Sequence, residues 1–153
     1  MTIIRIKAKT TVSPEQFVAS LKNFGPTRET VWGNSQSRFL IVHSQGPMWA
    51  EVTEGSNFFG GVWERLHYDW SERGTIILRT LDSNVWSDKS SWRYQLTEAP
   101  DGSGTTIEYT ITRFARNKKA YPILILMRLV GKPILTRNFH KTLRAIEGCP
   151  IAS

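Results

Sequence analysis

The apolar and polar positions alternate from the start of the chain. Ile4, Ile6 and Ala8 are spaced by Arg5, Lys7 and Lys9, the two-residue period of a strand with one buried face. Ser13-Pro14-Glu15-Gln16 follows, with a capping Ser, Pro at the first helical position and Gln three residues after the cap. This predicts a short helix to about Asn23 that buries Phe17, Val18 and Leu21, and Gly25-Pro26 stops it. Thr27 to Trp32 has room for one further helical turn. Strand signals then dominate: Arg38–His43, Met48–Thr53, Gly61–Trp70, Thr75–Leu81, Ser91–Thr97 and Thr105–Ala115. The links between them, such as Gln45-Gly46-Pro47 and Pro100-Asp101-Gly102-Ser103-Gly104, carry turn chemistry. Links this short join antiparallel neighbours, because parallel ones need long crossovers.

The last segment has a helical period. Leu135, Phe139, Leu143 and Ile146 fall on one stripe, with Arg137, Lys141 and Arg144 roughly opposite. Its first half, Pro122 to Val130, is apolar on nearly every side. Gly131 and Pro133 are expected to kink or divide it. The order is strand, two short helices, six strands and a long helix. An antiparallel sheet with one buried face needs a cover, and only the C-terminal helix is large enough. This predicts an α+β fold, a curved antiparallel sheet of about seven strands around that helix. A curved sheet wrapped on a helix tends to enclose space.

The composition narrows the class. A chain of 153 residues fits one domain spanning 1–153, and that size buries about 68–70% of its unfolded surface. One Cys cannot make an internal disulfide, so Cys149 sets no demand for an oxidising compartment. The N-terminus lacks the apolar stretch of a signal peptide, and Arg128 interrupts the most apolar segment. These features lead to the expectation of a cytoplasmic protein.

The charge of +7 is unevenly placed. Nine Lys or Arg and no Asp or Glu lie between Tyr109 and Ile146, which leaves eleven basic and thirteen acidic residues elsewhere, a net of −2. Arg128, Lys132, Arg137, Lys141 and Arg144 give the C-terminal helix a basic face suited to anionic lipid headgroups. A solvated helix face is the plainer reading of the same residues. No recognition-helix motif accompanies them, which argues against nucleic acid. His43, His67 and His140 have no metal-ligand spacing, so no metal site is expected.

The element order, the aromatic-rich middle strands and the phrases Trp63-Glu64-Arg65-Leu66, Tyr68-Asp69-Trp70, Leu81-Asp82-Ser83-Asn84-Val85-Trp86 and Lys141-Thr142-Leu143-Arg144-Ala145-Ile146-Glu147 resemble the SRPBCC or START-like superfamily. Within it, the likeness is to the branch labelled polyketide cyclase/dehydrase. The resemblance spans nearly the whole chain and implies the helix-grip fold. For function it implies binding or carriage of a hydrophobic small molecule, such as a lipid, a sterol-like compound or a polyketide. The alternative is a cyclase, aromatase or dehydratase acting on the bound molecule. No cofactor is implied, and no catalytic signature carries over residue by residue.

Expected cavity residues follow from strand and helix faces. Leu66, Tyr68 and Trp70 share one strand face; Leu78 and Trp92 with Tyr94 come from the next two strands; Tyr109 and Ile111 come from the last. Leu135, Phe139 and Leu143 face them from the helix. Plain core packing is the alternative reading of each. The same alternation turns Glu64 inward, where a carboxylate in an apolar pocket could serve as acid, base or hydrogen-bond partner. Alternatively, a bulge breaks the alternation, or Arg65, Arg79 or Arg93 pairs with Glu64 at a strand end. The segment Asp82–Trp86 is either a cavity mouth or an ordinary structured loop.

Overall fold

The computed structural model describes residues 1–148. β1 (Thr2–Thr10) leads into α1 (Pro14–Leu21) and α2 (Arg28–Val31). Then come β2 (Ile41–Gln45), β3 (Trp49–Ser56), β4 (Val62–Asp69), β5 (Thr75–Ser83), β6 (Ser91–Glu98) and β7 (Thr105–Arg113), and α3 (Tyr121–Glu147) closes the described chain. The seven strands form one sheet in the order β1-β7-β6-β5-β4-β3-β2. Every pairing is antiparallel, so β2 to β7 form a meander and β1 returns to pair with β7. Sheet and α3 together are the helix-grip architecture.

The local causes are legible. β1 alternates buried and exposed residues along its whole length, with Ile4, Ile6 and Ala8 inward. At α1 the Ser13 hydroxyl accepts from the Gln16 N–H, and the Gln16 side chain accepts from the Ser13 N–H, a complete capping box. β2 starts three residues later than the pattern suggested. Its residues are all exposed, and its register slips between Val42 and Ser44. An edge strand with little to bury is weakly specified by its side chains.

α3 runs unbroken through Pro133, so the expected division is absent. Proline lacks an N–H and removes one rung of the ladder, and α3 packs against β1. Gly131 lies at that crossing: a Cβ there would sit 2.9 Å from Cδ1 of Ile4. The second half of α3 buries Phe139, Leu143 and Ile146 as its periodicity indicates. Its first half buries only Leu124 and Gly131. Among the described residues, no helix is long and apolar enough to cross a membrane.

Candidate functional site

The inner face of the sheet and α3 do not close fully on one another. A cavity of about 390 Å³ lies between them. Glu54 from β3, Val62, Glu64 and Leu66 from β4, Trp92 from β6 and Arg113 from β7 form its sheet wall. Met127, Gly131 and Leu135 cover it from α3, and Trp86 closes one side. A second chamber of about 290 Å³ is walled by Trp32, Tyr94, Tyr109 and Phe139. Trp92, Leu135, Asn138, Gly33 and Asn34 line both chambers.

The wall of the larger chamber holds two buried ion pairs. Arg113 donates through its two terminal nitrogens to the two oxygens of Glu64, at 2.7 and 2.9 Å. Thr80 adds a third donor to Glu64 at 2.8 Å. The Arg113 guanidinium sits 4.1 Å from the ring centre of Trp92 and 5.0 Å from that of Trp86, so each ring face meets a cation. The second pair joins Arg28 to Glu54 at 3.2 Å. Arg28 also donates to Ser35, to Tyr68 Oη and to the carbonyls of Leu21 and Asn23. Glu54 and Glu64 stand directly opposite each other on β3 and β4. Like charges so placed repel, and a separate arginine neutralises each carboxylate.

The partner of Glu64 is therefore Arg113. Arg65 instead reaches Glu51 on the outer face at 3.0 Å. The signal for Arg113 was present: it continues the inward series Ile107, Tyr109, Ile111 on β7. Glu54 likewise continues Ala50 and Val52 on β3. Nothing in the sequence marked Arg28, which enters from a four-residue helix.

Of the anticipated cavity residues, Leu66, Trp92, Tyr94, Tyr109, Leu135 and Phe139 line one or both chambers, as does Glu64. Tyr68, Leu78, Ile111 and Leu143 sit in the packed core, outside both linings. Trp70 lies apart, half-buried in an outer groove near Pro14 and Val18, with its indole N–H donating to the Pro47 carbonyl. In the Asp82–Trp86 segment, Trp86 turns inward while the Ser83 hydroxyl and the Asn84 amide tie the turn to Trp63 and Gly61. Cys149 lies outside the described residues.

The second chamber is aromatic. Tyr109 stacks between Trp92 and Tyr94 at centroid distances of 5.7 and 4.5 Å, and Phe139 tilts over it at 5.1 Å. Burial pushes the Tyr94 phenol well above its ordinary value, opposed by the neighbouring Tyr109 hydroxyl. Burial does the same to Tyr109, reinforced by Tyr94. Both stay neutral across the physiological range and can give or accept a hydrogen bond.

The mouth differs from the floor. Leu126, Val130 and Ile134 of α3 stand on one side of the opening, with Phe58 and Phe59 on the other, and all five are exposed. The opening is thus largely apolar, with Asn34, Asn57 and Asn138 also exposed in its lining, and the charged groups lie at depth.

No family model matches this sequence, and no curated protein matches it. Solved structures do. The Zhui aromatase/cyclase of a Streptomyces species superposes with a TM-score of 0.74 at 10% identity, covering 95% of this chain and 93% of that one. A Thermus thermophilus protein gives a TM-score of 0.69 at 14% identity over 95% and 94% of the two chains. A START superfamily protein of Mycobacterium smegmatis gives 0.61 at 8% identity over 95% and 91%. Identities this low speak to the fold, and the match runs nearly end to end. With its seven-stranded antiparallel sheet gripping α3, the chain has the fold of the SRPBCC or START-like superfamily.

Proposed function

We propose that this protein binds and carries a hydrophobic small molecule, a lipid, a sterol-like compound or a polyketide, between its sheet and α3. The observation that supports this best is the 390 Å³ chamber with its apolar mouth and aromatic annex. Its size falls within the roughly 300–1,000 Å³ of small-molecule sites, and a few polar groups among apolar walls are typical of them. Among the described residues, four buried side-chain polar atoms lack a hydrogen-bond partner, and three of them belong to the wall: Glu54 Oε1, Trp92 Nε1 and Arg113 Nε. Plain core packing rarely tolerates such a concentration.

The commitment of both Glu64 oxygens to Arg113 and Thr80 favours a binding role over proton transfer by this carboxylate. We also assign Arg128, Lys132, Arg137, Lys141 and Arg144, all exposed on α3, an attraction to anionic membrane surfaces that salt would screen.

Native mass spectrometry of gently purified protein, with titration of an environment-sensitive apolar fluorophore, tests the reading. The wild type should retain or take up an apolar ligand. Leu135→Trp, which places an indole where both chambers meet, should weaken uptake at least tenfold while the far-ultraviolet dichroism is kept. An empty wild type that takes up no probe would defeat the proposal.

A further inference from the structure

The first half of α3 is apolar over most of its outer face. Ile125 is 56% exposed, Leu129 73%, Val130 39% and Ile134 46%. Across the cavity opening, Phe58 and Phe59 are each about half exposed, with rings 4.3 Å apart. Phe59 holds φ 47° and ψ 42°, the left-handed region that bulky residues rarely enter. These two half-exposed rings, one of them on a disfavoured backbone conformation, belong to neither core cluster. Scattered exposed apolar residues are ordinary, but a contiguous group on both sides of an opening marks a contact surface.

Charge says what the contact is with. Between Tyr121 and Ile134 the charged residues are Arg128 and Lys132, both exposed. Lys118 and Lys119 precede the helix, and no Asp or Glu occurs from Tyr109 to Ile146. The segment Asn57–Gly61 on the other side carries no charge at all. An apolar surface whose helical side carries cations and no carboxylate is complementary to a bilayer containing anionic phospholipid: side chains enter the acyl boundary and cations meet the headgroups.

We propose that the cavity mouth is a bilayer-docking face, with Ile125, Leu126, Leu129 and Val130 on one side and Phe58 and Phe59 on the other inserting into an anionic membrane. Docking places the opening against hydrocarbon, so an apolar ligand passes between bilayer and cavity without crossing water. That consequence rests on the ligand-binding reading; the docking itself does not.

Co-sedimentation with vesicles tests it, using phosphatidylcholine mixed with phosphatidylglycerol against phosphatidylcholine alone. The mixed vesicles should bind the protein at least tenfold more tightly, and Arg128→Glu with Lys132→Glu should erase the difference. Ile125→Ser with Leu129→Ser should lower binding to mixed vesicles at least tenfold. Neither residue lines the cavity, so apolar-probe affinity measured without vesicles should be unchanged. Equal binding to both vesicle types, or retained binding by the serine variant, would overturn the docking face. So would a dimer in sedimentation velocity that Leu129→Ser dissolves, which would assign the face to a second copy. Probe uptake without vesicle binding refutes docking alone. Vesicle binding without probe uptake refutes the cavity reading alone.

Discussion

Arg113→Met isolates the energetics of the cavity wall. The Arg113 and Glu64 side chains are 2% and 8% exposed, and they share two hydrogen bonds. The substitution strands the Glu64 carboxylate in the interior with Thr80 as its remaining donor, and it removes the cation from between Trp86 and Trp92. Breaking a buried pair from one side costs about 3–5 kcal/mol, because the uncompensated charge stays behind. That is a large share of a total stability of about 5–15 kcal/mol. For a chain of this length, about 2–4 °C per kcal/mol converts the loss into a fall in Tm of about 6–20 °C.

The second arm is the double variant, Glu64→Leu with Arg113→Met. Removing both charges leaves apolar side chains of similar bulk, and such replacements are often neutral or stabilising. The double variant should therefore recover to within about 1–2 kcal/mol of wild type, and the two singles should be strongly non-additive. Urea unfolding followed by far-ultraviolet dichroism measures all four proteins. If Arg113→Met alone stays within about 1 kcal/mol of wild type, or if the singles add, the pair is not a coupled unit.

Three further outcomes are expected from other parts of the molecule. The buried phenols of Tyr94 and Tyr109 have raised pKa values, so the folded state favours their neutral form. Their contribution is complete below the unfolded Tyr value near 10 and is lost as pH climbs toward the folded values. Stability should fall with rising pH above about 10, and phenolate absorbance from these two should appear only with unfolding; early titration of both would refute their burial. Ser13→Ala breaks the capping box of α1 and should cost about 1 kcal/mol in urea unfolding, with Ser13→Gly costing less. Arg28→Met should destabilise more than Arg65→Met, because Arg28 is buried in a network of acceptors while the Arg65–Glu51 pair is partly exposed to solvent. Equal effects would contradict that difference.

The sequence by itself determined the architecture. Alternation set the inward faces of β1, β4, β6 and β7, turn residues set the antiparallel meander, and the stripe Leu135, Phe139, Leu143 and Ile146 set the buried side of α3. These patterns are local, because a period of two or 3.6 residues is written in neighbouring positions. The inward direction of Glu64 was legible for that reason, but its partner was not. Arg113 is forty-nine positions away, and only the register of the intervening strands brings the two together.

The tertiary structure decided which inward side chains pack and which border space. Tyr68, Leu78 and Ile111 obey the same alternation as Leu66 and Tyr109, yet they are filled in by neighbours while the others line a chamber. It also decided the fate of the apolar first half of α3. The sequence makes that segment apolar nearly all round, which ordinarily means burial on every side. The sheet covers only one side of it. Ile125 and Leu129 are left facing outward because coverage depends on where the other elements end, a property of the assembled fold rather than of any segment's periodicity.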